Sequence, residues 1–465
     1  MPEPALPPTP APLAAYAARF DGLFARPSQR AAFRQYLTGL LLPAERNKTL
    51  TALANAEPVV GAQRPAVQRL QWFLSESTWD AAALTARRLE LLRADASIAP
   101  HARGALIVDE TGDRKDGERT AHVGAQYPGN RGKVENGVVS VATVWADEGV
   151  YYPLAVEPYT PERWFARGKA DPAFRTKPEI ALALVDRARA EGWPFGAVVA
   201  DCLYGEHRGF VDGLRQRGVP YVLALKPSHA WGAPADEVNW AQGAAAAARW
   251  AGPDDPGAWA AVERTFRDGH AETWWALEAT AGPYGPDRPQ RLVVATPDPA
   301  RLPARATWYL TTALPAADAD VAAVVRLYGL RNWVEQEYKQ VKHALGWSQY
   351  QVRSDRAIRR HWALVQCAFA FCWAASGAPP GAPEAAAAAT VPAADRGEKA
   401  GGRPRGGARP PVALLAGGAA AGAGVAGAGD PAVAVVARLV RPAAARPAAG
   451  AARLGRPGPP LPRLR

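Results

Sequence analysis

Cysteine is scarce in this chain: three in 465 residues, at positions 202, 367 and 372. None forms a C-x-x-C pair and the number is odd, which argues against a zinc knuckle and a disulfide framework and fits a reducing cytosol. The apolar run at 361–375 is too short to cross a bilayer. The opening residues, MPEPALPPTPAPLAAYAARF, lack a basic start and a long apolar core, so they do not read as a signal peptide. Acidic residues all but vanish after position 400. Residues 401–465 hold ten Arg against Asp430, a net of +9, leaving only +2 of the chain's +11 to residues 1–400. The overall charge is therefore no argument for a polyanionic partner; only local patches count.

The same stretch uses only Ala, Gly, Pro, Arg, Val and Leu besides Asp430. Without aromatics, Ser, Thr or Lys it cannot build a specific core and reads as disordered. It is either a basic tail for nucleic acid or the out-of-frame end of a GC-rich gene. The rest, within a chain that is 48% hydrophobic and 21% charged, reads as globular, soluble and intracellular.

Hydrophobic spacing divides the chain. Residues 1–11 read as a flexible arm, and 12–100 repeat apolar positions every three or four residues, predicting packed helices. From 101 to 228 the period changes. GALIVDET, KVENGVVSVATVWADEGVYYPLAVEPY, FGAVVADCLYG and PYVLALKP read as strands, with helices at PEIALALVDRARAEGW and RGFVDGLRQRG. The expected fold class is α/β, a mixed sheet flanked by helices. Residues 229–305, rich in Trp, Gly and Pro, break that rhythm and read as an inserted β-rich module with strands at ETWWALEA and QRLVVATP. Helical patterning resumes at about 317, within a second part of the core at 306–376, and 377–465 form the low-complexity tail.

Two of the expected strands end in acids, Asp109 after ALIV and Asp201 after AVVA. Strand ends in open α/β sheets face a crevice. Carboxylates that converge there repel unless a cation lies between them, and oxygen donors favour a hard ion such as Mg²⁺. A third acid is offered by YGLRNWVEQEYKQVKHALGW, residues 328–347. Read as one helix at about 100° per residue, it places Tyr328, Arg331, Glu335 and Lys342 in a narrow stripe. Leu327, Val334, Tyr338, Val341 and Leu345 form the adjoining buried face, and Glu337 points to solvent. An Arg331–Glu335 pair at i, i+4 explains part of that stripe but not why Tyr328 and Lys342 share it.

The pattern Tyr328-x2-Arg331-x3-Glu335-x6-Lys342 resembles the YREK signature of bacterial insertion-sequence transposases of the DDE type. DETGDRKDG at Asp109, DCLYG at Asp201 and LQWFLSESTWD at 70–80 resemble other motifs of that family, and the resemblance spans roughly residues 20–375. It implies an RNase H-like catalytic core, with 12–100 as a helical DNA-end-binding domain and the β-rich insertion lying between the second Asp and the Glu. The implied catalytic triad is Asp109, Asp201 and Glu335, holding two Mg²⁺ ions, for which Mn²⁺ can substitute, and cutting and joining DNA strands.

By the same resemblance Tyr328, Arg331 and Lys342 grip phosphates near the transposon end. The window 326–360, with a net charge of +5, agrees. A Trp of the insertion would stack on a flipped base, with Trp274 and Trp275 as candidates on opposite faces of one strand. In the Q-Y-x-G-x-x-G-K-x-x-N pattern from Gln126, Lys133 and Asn136 either touch DNA or close a loop. The implied partners are double-stranded DNA, as terminal inverted repeats and target, and a second copy of the chain in a synaptic dimer. The expected place is the bacterial cytoplasm, at the nucleoid. Two other readings remain: a catalytically silent or domesticated DNA-binding remnant, and an RNase H-like nuclease without an element of its own.

Overall fold

The computed structural model describes residues 9–43, 46–127, 133–228, 230–232, 238–240, 248–265, 270–281, 290–302, 306–314 and 320–376. The tail expected at 377–465 and most of the N-terminal arm lie outside the described residues. The side chains of Trp231 and Trp240 lie outside them too.

The helices are α1 (Ala11–Ala18), α2 (Pro27–Leu41), α3 (Leu50–Leu53), α4 (Pro65–Ser75), α5 (Ala81–Ala94), α6 (Lys177–Ala190), α7 (Cys202–Gly205), α8 (Arg208–Gln216), α9 (Val321–Gly329), α10 (Asn332–His343) and α11 (Asp355–Ser376). The strands are β1 (Ala105–Arg114), β2 (Gly124–Gln126), β3 (Glu135–Ala146), β4 (Tyr151–Tyr159), β5 (Ala197–Ala200), β6 (Tyr221–Leu225), β7 (Ala230–Gly232), β8 (Val238–Trp240), β9 (Ala260–Thr265), β10 (Ala271–Ala281), β11 (Gln290–Thr296) and β12 (Trp308–Thr312). The main sheet runs β2-β3-β1-β5-β6-β12-β11-β10-β9, with β4 also paired to β3, and is mixed as expected. Its centre, β1-β5-β6, is parallel. There ALIV, AVVA and YVLAL read as continuous apolar runs, and every one of those side chains is buried.

The described residues of 229–305 are rich in strands, as expected, and the longer strands join the main sheet. β12 pairs with β6 along one edge and with β11 along the other, so β11, β10 and β9 prolong the main sheet. Among the described residues, the small β7–β8 ladder lies off the main sheet. The N-terminal helices and α11 share one core with this sheet, running from Leu13 through Phe33, Leu70 and Val108 to Trp373. Within it Tyr36 donates to His361 Nδ1 (2.8 Å), and His361 Nε2–H donates to the Gly346 carbonyl (3.1 Å). Arg360, 4% exposed, donates to the carbonyls of Leu74 (2.8 Å) and Ser77 (2.6 Å), with its guanidinium over the Trp79 ring. The LQWFLSESTWD segment is thus a helix end and turn clamped from α11.

Candidate active site

β1 and β5 run parallel, and their last paired positions are Val108 and Ala200. The next residue on each is an acid, so the register itself sets Asp109 beside Asp201, one interstrand spacing apart, roughly 5 Å between backbones. Asp109 is not at a strand tip as expected. β3 pairs with β1 all the way from Ala105 to Arg114, which keeps the chain extended five residues further. Asp201 does end its strand and caps α7, accepting from the Leu203 amide at 3.0 Å. Gly205 closes that short helix because a Cβ there would lie 1.9 Å from the Ala224 carbonyl of β6. Only a glycine lets the turn after Asp201 pack so close.

The third acid arrives on α10. Residues 328–347 are not one helix: α9 stops at Gly329 and α10 starts at Asn332. Between them hydrogen bonds shorten to the i, i+3 kind, from Arg331 to Tyr328 (3.0 Å) and from Trp333 to Leu330 (3.0 Å). Gly329 leaves room for Arg264, whose Nη2 would stand 2.9 Å from a Cβ.

Arg331 points into the space between the strands and the helix. Its Nη2 lies 3.2 Å from Asp109 Oδ2 and 3.8 Å from Asp201 Oδ2, and its Nη1 3.4 Å from Glu335 Oε1. One guanidinium therefore touches all three acids. Asp109 is 7% exposed, and burial pushes its carboxyl up to about 7, against the opposing pull of Arg331. Arg331 itself is held above its ordinary range: burial works against the charge, but Asp109, Tyr328, Asp201 and Glu335 outweigh it. Among the described residues no three His, Cys, Asp or Glu side chains stand close enough together to hold a metal ion in this arrangement. The donor set does suit one. It is three oxygen-bearing carboxylates gathered round a single positive centre, one of them with its proton affinity raised by burial.

Glu337 does not face solvent. It is 3% exposed, and burial pushes its carboxyl up to about 8, opposed by Lys342 and Arg88. A one-sided helical wheel fails here because α10 has β1, β4 and α11 around it rather than a single core face. Lys342 donates to the Gly112 carbonyl (2.8 Å) and pairs with Asp113 Oδ1 (3.2 Å).

The +5 window does not form one basic surface either. Arg326 pairs with Glu148, Arg359 with Glu157 (2.6 Å) and Asp355 (2.7 Å), and Arg360 is buried. Linear charge counting cannot see partners from elsewhere in the chain.

Beside the carboxylates opens a cleft of about 870 Å³, lined by Arg264, Trp274, Trp308, Tyr328, Arg331 and Glu335 among others. Trp274 and Trp308 rings are 4.3 Å apart, Trp308 meets Tyr328 edge-on at 4.9 Å, and Arg264 lies over both tryptophans at 4.4 and 4.6 Å. Trp275 turns to the other face, against Trp250 in a small second core. Trp308 was not singled out from sequence; its place on the strand before α9 is the signal that could have found it.

Lys133 pairs with Glu135 (3.1 Å) and is exposed. Glu135 precedes Ala142, the partner of Asp109, by seven residues along β3, about 23 Å, so the structure does not bring Lys133 to the three acids. Asn136 closes a loop by donating to the carbonyls of Lys115 (2.7 Å) and Gly117 (3.1 Å).

The DDE superfamily endonuclease family model matches residues 19–282, a stretch containing both aspartates. A protein of Microchaete diplosiphon, described as the probable transposase for the insertion sequence element IS701, is 33% identical over 339 residues. That match covers 72% of this chain and 80% of the relative. The chain belongs to the DDE superfamily endonucleases, in their insertion-sequence transposase branch. No helix among the described residues is long and apolar enough to cross a membrane.

Proposed function

We propose that the chain cuts the ends of an insertion sequence and joins them to target DNA by a cut-and-paste route, with Asp109, Asp201 and Glu335 as its catalytic carboxylates. The observation that carries the reading is that two neighbouring strands and one helix, from positions far apart in sequence, deliver all three acids to a single guanidinium. Arg331 offsets the repulsion between these acids here, and a bound metal ion would take over that charge.

Asp109, Asp201 and Glu335 would hold the two Mg²⁺ ions that the family resemblance implies, or Mn²⁺ in their place. Such ions supply Lewis acidity toward an attacking hydroxyl and a leaving oxygen. The chain's own groups do the rest. Arg331 carries a fork of donors suited to phosphate, and Tyr328 closes the cleft wall beside it. Trp308, partly exposed on the cleft wall and backed by buried Trp274, offers a stacking face for an unpaired base next to the cut, with Arg264 as the cation in that stack. Trp275, packed away from the cleft, is not proposed to take part. Lys133, on the β2–β3 hairpin, would meet phosphates farther along the same duplex. Two chains would act together on two terminal inverted repeats, at the bacterial nucleoid.

The test is cleavage of labelled terminal inverted repeats in Mg²⁺ by the wild-type chain and by Glu335→Gln. Nicking by the wild type alone supports the reading. Equal nicking by both sinks the triad. A gel shift with no nicking in either Mg²⁺ or Mn²⁺ would instead make the chain a silent DNA-binding remnant.

A further inference from the structure

We infer that Asp113 and Lys342 are positioning residues that hold the Glu335 helix in register against the strand carrying Asp109. The inference rests on the proposed role of Asp109, Asp201 and Glu335.

The geometry is that of a ladder. Asp109 and Asp113 are four residues apart on β1, hence on one face and about 13 Å apart. Arg331 and Lys342 are eleven residues apart, three turns of helix, hence on one side of α10 and about 16 Å apart. The spans match closely enough for strand and helix to run alongside one another. The first rung is Arg331 on Asp109 (3.2 Å) and the second is Lys342 on Asp113 (3.2 Å), reinforced by the Gly112 carbonyl (2.8 Å). Glu335 lies between the rungs, one turn beyond Arg331. Tyr151 of β4, stacked on Trp333 (4.9 Å) and donating to Gln340 (2.8 Å), holds the helix from one side; the two rungs set its register along β1. Lys115, just past β1, adds to the far end: it donates to the Ser348 carbonyl (2.9 Å) and its ammonium sits 3.6 Å above the Tyr350 ring, both in the chain leaving α10.

A phosphate contact is the other role open to Lys342, and the surroundings disfavour it. The side chains of Asp113 and Lys342 are 3% and 14% exposed. Lys342 already has two acceptors. Moving its ammonium to DNA would leave the Asp113 carboxylate buried without its partner.

Three variants, Asp113→Asn, Lys342→Met and the double, are compared with wild type, Glu335→Gln and Lys342→Arg. The readouts are affinity for a labelled inverted repeat and single-turnover cleavage at saturating DNA in Mg²⁺. Each single variant is expected to cleave about 100-fold slower, the scale of a misplacement near 1 Å, with end affinity within about threefold of wild type, a limit set by measurement scatter against the tenfold per 1.4 kcal/mol scale. The double should be no slower than the worse single, because both act through one contact. Lys342→Arg, which keeps the charge, should recover most of the rate.

Lys342→Met weakening DNA binding tenfold or more while Asp113→Asn tightens it would overturn the inference and make Lys342 a phosphate contact. Unchanged cleavage in both singles would overturn it as well. If melting curves show that Lys342→Met does not fold, Lys342→Gln carries the test, since it keeps a donor for Gly112 but not the charge. A wild type that fails to cleave, or a Glu335→Gln that cleaves, refutes the triad instead, so the two failures are told apart.

Discussion

Arg331, at the N-cap of α10, and Lys342, in its last turn, meet carboxylates in opposite ways. Arg331 is shared among three acids at 3.2, 3.4 and 3.8 Å, and those partners range from nearly buried Asp109 to half-exposed Glu335. Lys342 has one carboxylate and one carbonyl, both out of reach of bulk water. The first is a loose junction opening onto a cleft, able to trade partners when DNA or a metal ion arrives. The second is a fixture. The same helix therefore carries a site built to rearrange and, three turns on, an attachment built not to.

Substitutions should separate the two. The largest effect expected is on chemistry: Glu335→Gln should slow strand cleavage at least about a thousandfold, several kcal/mol of transition-state stabilisation. Its melting temperature should hardly move, since an exposed side chain with a slack contact contributes within ~0.5 kcal/mol. Asp113→Asn should show the reverse balance in a denaturant titration, losing about 3 kcal/mol of stability because a poorly solvated ammonium loses its partner. A loss as small as that of Glu335→Gln would erase the contrast.

Trp308→Ala should weaken binding of an end with an unpaired base by about 1–3 kcal/mol and leave a fully paired duplex unaffected, as read by fluorescence anisotropy. Arg331→Ala should reduce the salt dependence of end binding by about one phosphate contact; an unchanged slope would mean that the guanidinium never leaves the carboxylates. The effect that leaves the site untouched concerns His361, where burial lowers the imidazole from 6.5 to about 4. A group depressed on folding supports the native state above its unfolded pKa, and that support drains away as pH falls from about 6.5 toward 4. Wild type should therefore lose about 2 kcal/mol relative to His361→Gln by pH 5, measurable by paired melts at pH 7 and 5.

Local patterning made much of this fold legible. ALIV, AVVA and YVLAL are apolar runs bounded by turn residues, and they form the parallel centre of the sheet. The motif spacing also picked out the three acids that the structure gathers around Arg331. What failed was whatever depended on more distant parts of the chain. Glu337 sat on the solvent side of an ideal wheel, yet β4 and α11 bury it. The arginines of 326–360 looked like a patch until Glu148, Glu157 and the carbonyls of 74–79 took them. That the insertion's longer strands join the main sheet was hidden too, because no local signal says that β12 will pair with β6. Asp113 lies inside the DETGDRKDG motif, but a strand residue shows its partner only once the helix is docked.

The most direct measurement is localised oxidative cleavage of the protein itself, with Fe²⁺ in place of Mg²⁺ and ascorbate and peroxide added, in the presence of inverted-repeat DNA. Fragments ending near Asp109, Asp201 and Glu335, suppressed by excess Mg²⁺, are the predicted result. Cuts elsewhere, or at only one of the three, would contradict a shared metal centre built from these acids.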